Sequence, residues 1–459
     1  MRHAQRRRAA RIVKALVLAA GAFVYALTQG VSFAQNDQPR DGRYYEQQAV
    51  KAYQQKDFTS FLENMKTALG LRPNHPRLTY NLAVAQALNG NKSEALAGLE
   101  RLAGMGLIYP AERDKDFASL KDSVEFESIL KKFQSNKAPV VNSATAFTIQ
   151  EKGLVPESVA YDPAGETFYL GSVYKRKILS VDRKGEVKEF ATERDGLWSV
   201  LGMKVDARRR HLWVATAAHP QMANYKAEQN GESAVLKFDL GTNKLLKKYA
   251  LPNKPAAHLV GDLVVSSGGD VFATDSLSPA VYVIRRAKDE IEPLVAGEPY
   301  VSPQGVAFAA GEKQLFVADY SRGIFVLDTR TGKSRLLASR PDTALLGVDG
   351  IYTYKGSLIG VQNGVNPHRL VRLFLDREMM RVERLEVIEA NHPLYDEPTL
   401  GVLVKDTFYY IANSQWWAID KSGQLAAPEK LQYPVVLKVK LSSPSKAEAR
   451  KPRTKRTAG

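Results

Sequence analysis

The chain has 459 residues, of which 44% are hydrophobic and 25% charged, and it contains no cysteine. This composition is typical of a globular protein with a sizeable core, and the lack of cysteine excludes disulfides, thiol nucleophiles and cysteine-based zinc sites. The formal charge of +16 is concentrated at the ends, with six Lys/Arg and no acid in residues 1–34 and a net +5 in residues 442–459. Only about +5 remains for the long middle, without a basic stripe interleaved with aromatics, so we expect no nucleic-acid partner.

Residues 1–34 have the pattern of a secretory signal peptide. A cationic start, MRHAQRRRAARIVK, precedes the short apolar run ALVLAAGAFVYAL, and Ser32 and Ala34 occupy the small-residue positions of a cleavage site. We therefore predict a periplasmic or secreted protein with no membrane span in the mature chain. The alternative is an uncleaved single anchor.

Residues 44–135 are predicted to form an α-helical domain. Ala49 and Ala83 occupy equivalent small positions, Phe61 and Ala95 are offset by the same interval, and Pro73 lies between the two copies. Small residues are needed where paired helices cross closely, and proline stops a helix. The pattern resembles two tetratricopeptide repeats, which implies a docking groove for a protein partner.

Residues 145–440 change to the alternating periodicity of β-strands, and 442–459 lack core-forming residues and are predicted to be a disordered basic tail. Six segments share one form, a strand, a turn and a second strand that ends in a small polar residue. They begin at Glu157, Leu201, Gly261, Gln304, Asp349 and Leu400. Starts roughly 45 residues apart favour the four-stranded blades of a six-bladed β-propeller over the alternative, a double sandwich. The predicted fold class is thus mainly β, with an N-terminal α-helical tetratricopeptide-like domain.

The residue before the innermost strand of a blade can point onto the propeller axis. Glu157, Gln304 and Asp349 provide two carboxylates and a carboxamide there, whereas two other blades have Leu and one has Gly261. Such an oxygen-rich set suits calcium or another divalent cation. Without a cation, the two carboxylates would repel each other unless one held a proton.

Four phrases in this region resemble the superfamily of senescence marker protein, gluconolactonase and luciferin-regenerating enzyme. They are PESVAYDP, GDLVVSSGGDVFATDS, SPQGVAFAAGEKQLFVADYSRGIF and VDGIYTYKGSLIGVQNG. The resemblance implies a metal-dependent lactonase whose ligands, blade by blade, are Glu, none, Asn, Asn, Asp and none. This sequence has Glu157 and Asp349 at the matching positions and departs from the pattern at Gly261 and Gln304.

Several other polar residues near the ends of the strands have two interpretations. His258 precedes Gly261 and is a candidate general base or replacement ligand, or else a structural loop residue. Asp275, Asp319, Asn363 and Asn413 end second strands, where they either cap turns or contact a substrate.

Trp416 and Trp417 either stack on a sugar or aromatic ring or pack in the core.

Two functions follow for the chain as a whole. The first is an exported metal-dependent hydrolase that takes a small lactone or ester in the propeller channel. The alternative is a non-catalytic propeller that binds a ligand or protein, with the helical repeats as a docking domain.

Overall fold

The structure, a computed structural model, describes residues 41–442, so the predicted signal peptide and all of the predicted tail beyond Ser442 lie outside the described residues. Over this range, no helix combines the length and apolarity needed to cross a membrane. The chain divides into two compact units between Arg72 and Pro73, and each is described by itself. The predicted boundary between a helical domain ending at 135 and a propeller starting at 145 stays a prediction.

The first unit contains a pair of packed helices, α1 (Gly42–Gln54) and α2 (Phe58–Leu71). Each begins at an aspartate whose side chain accepts backbone N–H groups of the first turn, Asp41 for α1 and Asp57 for α2. Such caps satisfy donors that the helix leaves without a partner. Ala49, at the predicted small position, is fully buried.

The second unit begins with a further helix pair, α3 (Pro76–Leu88) and α4 (Lys92–Gly104), followed by α5 (Val124–Ser135). Along the chain, the interval from the start of α1 to the start of α3 equals that from α2 to α4, and both equal the interval between Ala49 and Ala83. Ala83 and Ala95 are both buried. The helix pairs therefore have the length and spacing that the repeat pattern predicted.

Six four-stranded antiparallel sheets then form the blades of a propeller, which confirms the predicted mainly β fold class. In the first five blades, four consecutive strands follow one another across the sheet. The strands of blades one to three are β2 Pro156–Asp162, β3 Thr167–Ser172, β4 Lys177–Val181, β5 Val187–Ala191, β6 Ser199–Asp206, β7 His211–Ala217, β8 Ser233–Asp239, β9 Leu245–Leu251, β10 Val260–Val265, β11 Val271–Asp275, β12 Ala280–Ile284 and β13 Ile291–Ala296.

Blade six is closed by a strand from the start of the propeller. The strands of blades four to six are β14 Pro303–Phe308, β15 Gln314–Asp319, β16 Gly323–Asp328, β17 Ser334–Leu336, β18 Gly350–Tyr354, β19 Ser357–Gln362, β20 Arg369–Leu375, β21 Val382–Ala390, β22 Gly401–Val404, β23 Thr407–Ile411, β24 Val435–Lys440 and β1 Ala144–Thr148. The order in this blade is β22-β23-β24-β1, with β1 antiparallel to β24. This closing strand, which was not predicted from the sequence, joins the two ends of the ring and leaves no gap between first and last blades.

Buried apolar side chains fill the interfaces between neighbouring blades. Each first strand (β2, β6, β10, β14, β18 and β22) contacts the first strand of the next blade, and β2 contacts β22 to complete the ring. At the junction of blades six and one, for example, Val159 and Leu170 pack with Ile411 and Val436. Burial of each such side chain stabilises the fold by about 1.5–3 kcal/mol. This packing fixes the first strands, and hence the side chains that they direct at the axis.

The segment between α5 and β1 is hydrogen-bonded to the outer strand of blade five. Val140 and Ala390 exchange backbone hydrogen bonds of 2.9 and 3.1 Å. The buried carboxylate of Glu389 accepts the backbone N–H groups of Asn142 and Ser143 at 2.9 and 2.7 Å. The helical part of the second unit is therefore fastened to blade five by its connecting segment.

Candidate functional site at the propeller axis

The three predicted axial side chains lie at the same end of the first strands of three blades. Glu157 is in β2 and Gln304 in β14, while Asp349 directly precedes β18. Glu157 and Asp349 are each only 9% exposed, and Gln304 is half-buried. Burial, and secondly the charge of Asp349, raises the pKa of Glu157 well above its ordinary value. The structure therefore brings the two acids within range of each other's charge.

Asp349 is an acid that is poorly compensated. Burial, the largest effect, raises the pKa of Asp349 to about 7, and the charge of Asp262 adds to the increase. The hydrogen bond that Asn363 Nδ2 donates to Asp349 at 2.9 Å acts in the opposite direction and lowers the pKa. Asn363 is in turn oriented by Tyr320, whose hydroxyl donates to its Oδ1 at 3.0 Å. In the absence of a cation, Asp349 should therefore hold a proton more readily than an ordinary aspartate does.

A third acid, Glu397, joins this pair from the loop between β21 and β22. Burial, followed by the charges of Asp349 and Asp396, raises the pKa of Glu397 to about 7, and its own charge contributes to the raised pKa of Glu157. Glu397 was not predicted from the sequence, because it does not directly precede an inner strand, a position that Leu400 occupies in blade six. The acid in DEPTL, just upstream, was the available signal.

One oxygen of Glu157 takes both of its side-chain hydrogen bonds. Oε2 accepts the indole N–H of Trp416 at 2.8 Å and the hydroxyl of Ser414 at 3.4 Å. Among residues 41–442, no hydrogen bond is donated to Oε1. Trp416 thus contacts the site through its indole N–H. The sequence had suggested only stacking on a ring or packing in the core.

Gln304 and Gly261 lie side by side. The amide nitrogen of Gln304 donates to Ser302 Oγ at 3.2 Å, and its carbonyl oxygen lies beside Gly261. A Cβ placed on Gly261 would lie 3.3 Å from that carbonyl oxygen, which is a tight contact. Among the described residues, no other non-adjacent atom would lie within 4 Å of this Cβ. A side chain at the position where the resembled family has Asn would therefore require the end of the Gln304 side chain to shift slightly.

Asp262, the acid next to Gly261, is paired with a lysine of blade two. Its Oδ1 lies 3.1 Å from Lys204 Nζ, and its Oδ2 accepts the backbone N–H of Val306 at 3.3 Å. The Lys204 ammonium also lies 5.5 Å from the ring centre of Tyr352. Asp262 therefore forms an ion pair within the channel and does not replace the missing blade-three ligand.

His258 has its described contacts elsewhere in blade three. Its Nδ1 lies 2.6 Å from Asp275 Oδ2, and its ring packs edge-on against Tyr282 with centroids 6.1 Å apart. Within residues 41–442, no hydrogen bond links His258 to the axial acids. These contacts favour the structural interpretation, and a catalytic role for His258 stays a prediction.

Three of the four polar residues at second-strand ends cap loops, which was one of the two interpretations that the sequence left open. The carboxylate of Asp319 accepts four backbone N–H groups at 2.6–3.0 Å, and that of Asp275 accepts three. Asn413 accepts the backbone N–H of Val435 and donates to a backbone carbonyl. Asn363 differs, because its amide donates to Asp349 and so belongs to the axial site.

The donor set at the axis fits a hard cation in its chemistry. Glu157, Asp349 and the carbonyl oxygen of Gln304 supply the carboxylate and amide oxygens that calcium prefers, and calcium accepts water as further ligands. In the part of the chain that the structure describes, no three His, Cys, Asp or Glu side chains are grouped closely enough to hold a metal on their own. A cation would therefore depend on Gln304 and water as well as on the two acids.

Two cavities lie away from the axis. One of about 140 Å³ lies between blades two and three and is lined by residues that include Arg209, Trp213 and Arg286. The other, of about 400 Å³, is a groove between α4 and α5 that is lined in part by Leu96 and the 77% exposed Val124. The second lies in the helical part for which the sequence predicted a docking role.

No family model matches the chain, and no curated protein matches it either. Solved structures of propellers do match. A gluconolactonase from Xanthomonas campestris is 14% identical with a TM-score of 0.42, and the match covers 65% of this chain and 95% of that chain. Luciferin-regenerating enzyme is 14% identical with a TM-score of 0.45, covering 66% of this chain and 95% of that chain.

A calcium-binding protein, regucalcin from Agrobacterium tumefaciens, is 13% identical with a TM-score of 0.46, and the match covers 66% of this chain and 97% of that chain. Gluconolactonase and luciferin-regenerating enzyme are also the names to which the sequence resemblance pointed. At these identities the similarity concerns the fold alone. The class that the structure defines is a six-bladed β-propeller with buried acids at its axis.

Proposed function

We propose that this protein is an exported propeller hydrolase of the gluconolactonase type, which binds a divalent cation at its axis and acts on a lactone or ester. The observation that carries the proposal is that three buried acids, Glu157, Asp349 and Glu397, have pKa values raised by burial and by the charges of neighbouring acids. Three buried acids with raised pKa values destabilise the fold unless a cation or protons compensate them. A cation bound on the axis would compensate the acids, and the relief of their repulsion would contribute to its binding free energy.

Each residue has an assigned role. Glu157 and Asp349 would hold the cation, and Gln304 would add its carbonyl oxygen. When bound, the cation would supply Lewis-acid polarisation of the substrate carbonyl. Glu397 is the acid of the cluster that these ligand positions do not use, and we assign it to accept the proton of the attacking water, in place of His258.

The first experiment measures cation binding. Melting of the protein should be followed with chelator and with millimolar calcium, manganese or zinc. A cation present at about 100 times its Kd stabilises the native state by about 2.7 kcal/mol. Glu157→Gln and Asp349→Asn should each weaken this response, and Asp122→Asn, at an exposed position, should not. A wild type that melts identically in chelator and in each cation would contradict the proposal.

The second experiment measures turnover of a panel of sugar and aliphatic lactones and simple esters. Glu397→Gln should lower kcat by about 100-fold or more, because a general base contributes roughly that factor. His258→Asn should leave kcat nearly unchanged if its contact with Asp275 is its main function. The reverse result would restore His258 as the base.

Export to the periplasm or the medium remains part of the proposal. It is supported by the cationic and apolar pattern of residues 1–34. Mass spectrometry of the protein recovered outside the cytoplasm should give a mature N-terminus near Gln35. Recovery of Met1 in a membrane fraction would favour the single anchor instead.

A second candidate is a non-catalytic binding propeller with a helical docking domain. It is favoured by the empty position at Gly261, by the engagement of His258 with Asp275, and by the groove between α4 and α5. A normal cation response without turnover of any lactone or ester would support it. In that case Val124→Asp, in the groove, should weaken binding of a protein partner and leave the cation response unchanged.

A further inference from the structure

Residues 413–433, here called the cap segment, connect β23 and β24 of blade six. The two ends of the segment are bonded to each other, because Asn413 Nδ2 donates to the carbonyl of Tyr433 at 3.0 Å and Gln432 N–H donates to Gln415 Oε1 at 2.8 Å. Asn413 and Gln415 are also nearly fully buried. The cap segment is therefore a packed element of blade six.

From blade six, the cap segment reaches the next two blades around the ring, blades one and two. Leu425 packs against Gly153, which precedes blade one, so closely that a Cβ on Gly153 would come within 2.6 Å of it. Gly423 packs equally closely on the carbonyl of Pro220, in the loop after β7 of blade two. The cap segment thus extends over the Glu157 end of blade one, because Glu157 lies at the start of β2.

Trp416 is the cap residue that reaches the axial site. Its indole N–H donates to Glu157 Oε2 at 2.8 Å, and its ring stacks on the buried His219 of the blade-two loop, with centroids 5.9 Å apart and planes 28° apart. Ser414, also in the cap segment, donates to the same oxygen. Both side-chain hydrogen bonds to Glu157 therefore come from this one segment.

The choice of tryptophan has a chemical consequence. An indole N–H donates only, so it can bond Oε2 only as an acceptor, and it favours the ionised carboxylate. With Oε2 engaged by Trp416 and the indole packed on His219, the rotation of the carboxylate is restricted. Its other oxygen, Oε1, accepts no hydrogen bond among residues 41–442 and is available to a ligand.

We propose that Trp416 is a positioning residue, through which the cap segment holds Glu157 in the orientation that binds the axial cation. The inference rests on the proposed cation site and adds the element that prepares it. Glu157 is the only axial acid held in this way among residues 41–442, since Asp349 is oriented by Asn363 instead. Cation affinity should therefore depend on a loop of blade six that provides no ligand itself.

The experiment uses terbium as a luminescent substitute for calcium on the full-length protein. Excitation of tryptophan should give sensitised terbium emission, and calcium should displace it. Trp416→Phe keeps an aromatic ring against His219 and removes the N–H. It should abolish most of the sensitised emission and weaken calcium affinity, measured by calorimetry, about tenfold or more, as expected for loss of a hydrogen bond to a charged group.

Trp417→Phe is the matched control. Trp417 is the next residue, is 52% exposed, and donates its own indole N–H to a carboxylate, that of Asp396. This variant should keep both the sensitised emission and the calcium affinity. Ser414→Ala, a milder change at the longer hydrogen bond, should weaken calcium affinity by about threefold and keep the emission.

A thermodynamic cycle separates positioning from general packing. Melting of the cation-free wild type, Trp416→Phe, Glu157→Gln and the double variant should show a non-additive effect, because the two side chains are in contact. If calcium binds the wild type and binds Trp416→Phe with an affinity within twofold, the positioning role is wrong and the cation site stands. If the wild type binds neither calcium nor terbium, the proposed function itself is wrong. If the effects of Trp416→Phe and Glu157→Gln on melting are additive, the positioning role is wrong.

Discussion

Two sets of buried carboxylates in the same propeller have opposite surroundings. Asp275 and Asp319, at the ends of second strands, are covered by backbone N–H groups of the adjoining loops. Burial raises the pKa of Asp319, and only its backbone hydrogen bonds counteract that rise. Glu157, Asp349 and Glu397, at the axis, accept fewer hydrogen bonds, and the charges of neighbouring acids add to the burial that raises their pKa values. A buried acid that is surrounded by donors maintains the fold, whereas buried acids that face each other indicate a site that awaits a positive charge.

The largest expected loss of stability follows from removing a carboxylate of the first set. Asp319→Ala would leave four backbone N–H groups without their acceptor at a carboxylate position that is only 1% exposed. We expect a loss of about 3 kcal/mol or more in the free energy of unfolding, because each unsatisfied buried group costs about 1–3 kcal/mol. Urea unfolding measures it, with Asp122→Asn as an exposed control. A loss below about 1 kcal/mol would show that water replaces the carboxylate and would remove the distinction.

The sequence predicted the propeller because its blades repeat. A strand, turn and strand that recur six times give a signal that no single segment carries, and the capping residues Asp275, Asp319 and Asn413 are part of that repeat. The closing strand Ala144–Thr148 was missed since it is one short strand without a repeat of its own. Its assignment depends on ring closure, which is a property of the whole fold.

The site could be predicted only where it follows the repeat. Glu157, Gln304 and Asp349 were proposed because they occupy the same position in their blades, and their role as ligands stays a prediction. Glu397 lies outside that register, and Trp416 reaches Glu157 from a segment distant in sequence. Contacts of this kind depend on how loops cross from one blade to another, which local periodicity does not encode.

The second prediction concerns pH, since the axial acids should respond to protons. Asp349 and Glu397 have pKa values raised to about 7 in the folded protein, above their ordinary values. The folded state then binds more protons than the unfolded state between about pH 4 and 7, so stability should fall as pH rises through this window. In chelator, the wild type should lose on the order of 2 kcal/mol between pH 5 and 8 relative to Asp349→Asn.

Calcium should reverse this trend. Because the ligands must be deprotonated, the stabilisation by calcium should increase as pH rises through about 7. Equal pH dependence of the wild type and Asp349→Asn in chelator would indicate that the axial acids are already compensated.

A smaller effect is expected at Glu397. Glu397→Gln removes one of three like charges and, at pH 8 in chelator, should raise the free energy of unfolding by on the order of 1 kcal/mol. Its calcium response should remain, because Glu397 is not an assigned ligand. Thermal melts with and without calcium measure both quantities. A destabilised variant would instead place Glu397 with Asp319, as an acid whose hydrogen bonds maintain the fold.

The smallest effect on stability, and the sharpest test of the axis, is expected for Gly261→Asn. A Cβ on Gly261 would meet only the end of the Gln304 side chain, at 3.3 Å, so the change in stability without cation should stay within about 0.5 kcal/mol. If the ring of ligands lacks one oxygen, the new carboxamide should increase calcium affinity about tenfold. This gain is what one further polar contact to a charged group, about as strong as a hydrogen bond, is expected to contribute.

Gly305→Ala is the opposite control, since its Cβ would lie 2.4 Å from the backbone oxygen of Asp349 and must displace that residue. It should destabilise the protein and weaken calcium binding together. Calorimetric titration with calcium distinguishes the two variants. If Gly261→Asn folds normally but binds calcium no more tightly than the wild type, the vacant blade-three position does not face the cation. The axial acids would then be compensated by a ligand that enters from another side of the channel.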